Sequence, residues 1–404
     1  MHGLALIFGL VFCSGVFLDA FQTIILPRRP TGRFRITRFF YIATWRPWVW
    51  MAERIENRKV REQAYSIFGP FSLLALLVLW ALLLTIGFAL LLFAVHSPFQ
   101  DASLTAGSGR VPHFLTDLYV SGTTLTTLGP GDVVPRSQWA RALMIAESGT
   151  GLGFVALVVS YVPVLYGAFS RREVSVAMLD GRAGSPPTAS ELLRRHGFDG
   201  GQEALSDLLA EWERWSAEIL ESHISYPILC YYRSQHDNQS WLSALVSVLD
   251  ACALLITTIE GPASRQAQLT FAMARHALID LGHVFHLEER EKQWLERGRA
   301  ERLSDEVFDR LCGALGDMEI RLCGDPASME RLTSIRQLYE PHALALSEYL
   351  KMSLPLWVPE PLQKDHWKTV ANLRSQAAAV LGTQVKYVSE QATSGHFHDD
   401  DHGF

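Results

Sequence analysis

Thr126-Thr127-Leu128-Gly129-Pro130-Gly131-Asp132 is a run of hydroxyls and alternate glycines that ends in a carboxylate. A cation that sheds its water shell needs rings of oxygens in exchange. Successive backbone carbonyls can face one way only where alternate residues reach conformations open mainly to glycine. Gly129 and Gly131 hold such positions. Thr127, Leu128, Gly129, Pro130 and Gly131 then form the ion-binding wall, with the Thr127 hydroxyl at its inner end. One chain supplies one wall, so closing a ring requires cyclic symmetry.

Such a wall must be held at membrane depth, where irregular backbone is tolerated only if it lines a water-filled path. A bilayer core of about 30 Å needs roughly 20 apolar residues in helix. Three stretches qualify: Gly3 to Leu26, Ile67 to Val95 and Gln138 to Phe169. The first has no basic residue before it and no small-residue cleavage motif, so it reads as a retained span. His113 to Leu125 follows Pro112 and is long enough for about half a crossing, which makes it a pore helix running into residues 127–132.

At these residues the chain resembles the potassium-channel pore family, in a bacterial form with an added N-terminal span. That family's signature is Thr-x-Gly-(Tyr or Phe)-Gly-Asp after a short pore helix and before a glycine-bearing inner helix. The resemblance covers residues 67–170 and implies a homotetramer conducting potassium. Filter support falls by resemblance to Thr123, Tyr119 and Asp132. Tyr119 and Val120 stand where the family often has a tryptophan pair, and Tyr119 is within reach of a hydrogen bond to Asp132. Pro130 departs from the family's aromatic. Proline fixes its own φ, removes a backbone N–H and restricts Gly129 before it, so ion preference does not carry over with the motif.

Gly149, Gly151 and Gly153 interrupt the third span, where each disfavours helix by about 1 kcal/mol relative to Ala. They read either as a gating hinge, with Gly151 the nearest match to the family, or as a close-packing surface. Leu152, Val155, Val159 and Pro163 recur at helical spacing as an apolar stripe that would gate by dewetting. Glu147 should face protein or water at this depth and reads either as a charge near the filter that meets the cation or, favoured here, as a structural group bonded to pore-helix hydroxyls such as Thr123 and Thr124. Asp19 is expected to reach toward Arg28 or Arg29.

Ten basic residues between the first two spans, from Arg28 to Arg61, oppose only Glu53, Glu56 and Glu62, which places that linker in the cytosol. The N-terminus then faces out and the C-terminal half lies inside an inner membrane, with Arg171 and Arg172 marking the inner end of the third span. Trp45, Trp48 and Trp50 suit a linker helix lying against lipid in the interface, with an ordinary packed linker as the alternative.

The expected organisation is a membrane helix over 1–26, a basic aromatic linker over 27–66 and a pore domain over 67–170. Within the last, the outer helix covers 67–95, the pore helix 113–125, the filter 127–132 and the inner helix 138–169. A linker over 171–187, a helical cytosolic domain over 188–394 and a His/Asp-rich tail over 395–404 complete an all-α membrane protein. Helices are expected at 189–195, 202–222, 239–260, 263–288, 302–321, 326–352 and 360–382. Trp241 to Ile259 is apolar enough for a fourth span, but Asp250 at its centre favours a buried core helix.

A net charge of -6 over 404 residues does not suggest a nucleic-acid partner. The five cysteines include no CxxC pair and read as reduced thiols. His276, His283 and His286 share a helix face, but a metal would need a further ligand. No nucleophile–base arrangement, carboxylate pair or phosphate loop can be defended from spacing, so no enzyme and no cofactor beyond a permeant monovalent cation is expected. Potassium-selective conduction leads. A weakly selective cation channel and a non-conducting receptor or scaffold with a vestigial pore loop remain as alternatives.

Overall fold

The computed structural model describes residues 2–26, 35–95, 99–101, 113–129, 133–196, 201–235, 239–258, 262–296, 302–316 and 326–359. Pro130, Gly131, Asp132, Arg28, Arg29, the expected helix at 360–382 and the His/Asp tail lie outside them. The chain is an all-α membrane protein that divides into two compact units, Met1–Ala168 and Phe169–Phe404. Among the described residues three helices are long and apolar enough to cross a membrane.

In the first unit, α1 (His2–Ala20) ends in a π turn (Phe21–Ile25) and lies along α3 (Arg58–Ala94). Small residues let the backbones approach. A Cβ on Gly9 would lie 2.8 Å from the Gly87 carbonyl oxygen, and one on Gly87 would lie 2.7 Å from Cys13 Sγ. At one end of the pair His2 stacks on Phe93 with ring centroids 4.9 Å apart. Toward the other, buried Asp19 accepts from Trp80 Nε1 at 3.0 Å and from the Thr37 hydroxyl at 2.6 Å, with Arg35 Nε at 3.9 Å. Asp19 is thus held by Thr37, Trp80 and Arg35 of the segments packed on α1. Arg28 and Arg29, toward which Asp19 is expected to reach, lie outside the described residues.

α2 (Ile36–Ala52) lies within the basic linker. Trp45 is buried against Phe68 at 4.7 Å and Trp48 Nε1 donates to the Ala64 carbonyl, while Phe39, Ile42, Trp50 and Met51 stay exposed. α3 begins at Arg58, well before the apolar stretch at Ile67. Asn57 caps it by accepting from the Lys59 N–H, and the helix passes through Pro70. After α3, β1 (Phe99–Asp101) pairs antiparallel with β2 (Val133–Pro135), bracketing α4 (His113–Leu125). α5 runs from Gln138 to Ala183, beyond the expected end at Phe169.

In the second unit, α6 (Ala189–Arg195), α7 (Gly201–Ser225), α8 (Trp241–Thr258), α9 (Pro262–Val284), α10 (Glu288–Glu296), α11 (Asp305–Leu315), α12 (Pro326–Arg336) and α13 (Glu340–Leu350) follow. Every residue from Trp241 to Leu255 is buried, so α8 is a core helix surrounded by protein. Asp250 at its centre is fully buried and is met by Arg302 and by the Tyr339 hydroxyl. Arg302 also reaches Glu340 at 3.2 Å, and Arg336 reaches Glu340 at 2.9 Å. Burial pulls the Arg302 guanidinium down, but the two carboxylates outweigh it and hold it above its usual range.

Arg172 is held inside the second unit. It is 2% exposed and donates to the carbonyls of Leu229 and Tyr232, each at 2.9 Å, beside Glu173 and His223. Cys13, Cys230 and Cys252 are buried free thiols, whereas Cys312 is paired in a disulfide, against the expectation of reduced thiols throughout. Separation along the sequence says nothing about which sulfurs the fold brings together.

Candidate functional site

α4 packs one face inward and leaves the other open. Asp117, Val120, Ser121, Thr124 and Leu125 are buried at i, i+3, i+4 spacing, while Leu115 and Tyr119 are exposed. Val120 joins Leu92 of α3, Val133 of β2 and Ala140 of α5 in a small apolar cluster. Beside it the Ser121 hydroxyl lies 2.8 Å from the Thr85 carbonyl oxygen and is hydrogen-bonded with Glu147 Oε1.

The helix ends in a paired-hydrogen-bond cap. Leu128 N–H donates to the Thr123 carbonyl at 2.9 Å and Thr127 N–H to the Thr124 carbonyl at 3.0 Å. This is a Schellman arrangement, in which the residue after the cap takes left-handed φ. Glycine usually occupies that place, but here Thr127 does, at φ 59°. A β-branched residue there is strained by about 1–3 kcal/mol. Gly129 follows at φ 71°, and its N–H also donates to the Thr123 carbonyl, at 3.2 Å. Positive φ therefore recurs at Thr127 and Gly129 with Leu128 between them. The i, i+2 spacing that singles out Gly129 and Gly131 extends back to Thr127, which glycine-centred reasoning missed.

Thr126, Thr127, Leu128 and Gly129 are all exposed in the single chain, Leu128 at 78%. Thr123 does not touch the filter through its hydroxyl, which bonds back to the Tyr119 and Val120 carbonyls. The expected partners of Glu147 are corrected. Ser121, not Thr123 or Thr124, meets the fully buried Glu147, and Thr124 Oγ1 and Glu147 Oε2 are buried without a hydrogen-bond partner. The available signal was spacing: Ser121 and Leu125, and Glu147 and Gly151, are i, i+4 pairs, so each pair shares a helix face.

On α5 the three glycines differ. A Cβ at Gly151 would lie 1.9 Å from the Leu125 carbonyl oxygen, whereas Gly149 and Gly153 meet nothing within 4 Å. Leu152, Val155 and Val159 are 67%, 57% and 67% exposed, and Pro163 is exposed beyond them. His276 and His283 each approach Asp280, at 3.4 and 3.8 Å, and His286 lies two residues past the end of α9 at φ 54°. Among the described residues no three His, Cys, Asp or Glu side chains are placed to hold a metal ion.

Residues 75–165, which take in most of α3, all of α4 and most of α5, match a family described as an ion channel. The chain is also similar to the uncharacterized membrane protein YdjJ of Bacillus subtilis (strain 168). Those two are 26% identical over 251 residues, spanning 61% of this chain and 70% of that one. No solved structure matches the chain. The stretch that holds the later part of α3, all of α4 with its exposed turn and the first part of glycine-bearing α5 is therefore similar to an ion-channel domain.

Proposed function

We propose that the chain is one subunit of a homotetrameric channel that passes monovalent cations, potassium preferred, along the carbonyls of Thr127, Leu128, Gly129, Pro130 and Gly131. The observation that carries this reading is the recurrence of positive φ at Thr127 and Gly129 directly after a short helix, within an ion-channel domain. Such alternation lets consecutive carbonyls share a direction and replace a hydration shell.

The exposed face of α5 supports assembly. In its most apolar window only 17% of residues are buried within the chain, against 50% for α3. Copies of the chain and lipid are the surfaces that would cover the rest. Leu152, Val155, Val159 and Pro163 would line the inner pore and close it by dewetting, while Gly149 and Gly153 retain room for a hinge. Tyr119 and Asp132 remain proposed supports of the filter.

The excess of basic residues in the linker supports a topology with α2 and the second unit on the cytosolic side of the inner membrane and the N-terminus outside. The exposed aromatic and aliphatic face of α2 and the Arg54 guanidinium 3.3 Å over the Trp50 ring suit an interfacial helix. The disulfide at Cys312 points the other way, since cytosolic disulfides are rare. Thiol labelling at Cys312 in intact and opened cells, with and without reductant, decides the side.

Purified protein in a planar bilayer with potassium on one side and sodium on the other tests conduction. A reversal potential near the potassium value supports the proposal. Current reversing near zero supports the weakly selective reading that Pro130 favours. Complete silence across voltage, calcium and pH leaves a receptor or scaffold.

A further inference from the structure

Ser121 stands between two oxygens. Its Oγ lies 2.8 Å from the Thr85 carbonyl oxygen and within hydrogen-bond contact of Glu147 Oε1. A hydroxyl carries one hydrogen and a carbonyl oxygen none. If Ser121 gives its hydrogen to Glu147, two oxygens of Ser121 and Thr85 face each other with nothing between them. Only one assignment places a hydrogen in both contacts: Ser121 donates to Thr85, and Glu147 donates to Ser121.

We infer that Glu147 is held as the neutral carboxylic acid and is the positioning residue that braces the pore helix, and through it the filter, against α3 and α5. Both side chains are fully buried. The second carboxyl oxygen of Glu147 has no donor, a position in which a carboxylate would be uncompensated.

The brace leads to the filter through few steps. Ser121 precedes Leu125 by one helical turn, and the Leu125 carbonyl is the group on which Gly151 closes. Thr123, between them, accepts from the N–H groups of Leu128 and Gly129. Glu147 and Gly151 thus fix one side of α4 at two successive turns, while its last carbonyls tie down the first filter residues. The sequence has Pro130 where the pore family has its anchoring aromatic, and the Thr85–Ser121–Glu147 chain supplies a polar anchor for the helix that leads into the filter. This inference rests on the reading of residues 127–131 as the ion path.

The test uses the full chain in lipid and two readouts. Infrared spectra of wild type should contain a protonated-carboxyl C=O band that disappears in Glu147→Gln and moves to higher frequency in Ser121→Ala, where its acceptor is lost. Absence of that band in wild type, or its indifference to Ser121→Ala, overturns the inference. In bilayers, Glu147→Gln, whose amide still donates to Ser121, should keep the wild-type reversal potential. Glu147→Leu and Ser121→Ala should lower the potassium-to-sodium permeability ratio by roughly fivefold, the scale of one buried hydrogen bond. Unchanged ratios in both would remove the positioning role. The infrared arm reads the proton and its coupling to Ser121 even in a protein that passes no current, so failure of conduction and failure of this inference are separate results.

Discussion

A Cβ placed on Gly151 would lie 1.9 Å from the carbonyl oxygen of Leu125. The inner helix therefore meets the end of α4 backbone to backbone, and the atom in the way cannot rotate aside as a side chain could. Close packing thus accounts for this glycine, the one whose position best matches a hinge. Gly151→Ala should lower stability by about 3 kcal/mol or more, at the upper end for overpacking. Gly149→Ala and Gly153→Ala, which meet no neighbour within the chain, should fold normally and gain up to about 1 kcal/mol of helix propensity. Thermal unfolding of the three proteins in detergent compares them. Equal melting points would contradict the assignment.

Asp19 joins α1 to the rest of its unit through Trp80, Thr37 and Arg35. Asp19→Ala leaves the guanidinium and two donors without their shared acceptor. Breaking a buried charged pair from one side costs about 3–5 kcal/mol. The variant should expose the α1–α3 contact, read as faster labelling of buried Cys13 by a membrane-permeant thiol reagent. Labelling at the wild-type rate would show that helix packing alone holds α1.

His223 is 1% exposed, with its ring centroid 5.2 Å from that of Trp241 and Arg172 beside it. Burial first and the Arg172 charge second push its pKa well below the usual 6.5. With the folded value depressed, the unfolded chain binds the proton first. Full stability is present above the unfolded pKa and is lost as pH falls from about 6.5 toward the folded value, by up to about 1.4 kcal/mol per pH unit. Melting temperature against pH should slope more steeply in wild type than in His223→Gln below that point. Parallel curves would assign the acid sensitivity to other groups.

Pro130 is the residue on which ion preference turns in the proposed filter. Pro130→Tyr restores an outward-facing ring and a backbone N–H at the position where the pore family has an aromatic. If the missing anchor limits selectivity, the variant's reversal potential should move toward the potassium value by a severalfold rise in permeability ratio, with the wild-type assembly retained by cross-linking. An unchanged potential in conducting protein would place selectivity elsewhere in the filter.

Much of the fold was legible because its signals are local. Three apolar runs of membrane length stand out in composition alone. The charge of Asp250 likewise distinguished a buried helix from a fourth span, since a lone carboxylate at mid-bilayer lacks the Arg302 and Tyr339 partners that the fold provides. The glycine-spaced motif stood out because its spacing is a local property of the sequence. What stayed hidden depends on contacts distant in sequence. Asp19 with Trp80, Glu147 with Ser121 and Arg172 with the Tyr232 carbonyl each join residues whose separation carries no periodic signal.

The sequence by itself determined that this is a helical membrane protein with a glycine-spaced loop between two spans, since hydropathy, proline and glycine act through the residue that bears them. Only the tertiary structure decided which polar groups meet and what each glycine is for. Gly149, Gly151 and Gly153 are chemically identical, and the Leu125 carbonyl alone separates a close contact from open space. A buried hydroxyl or carboxyl takes its role from the atom opposite it, and that atom is supplied by the fold.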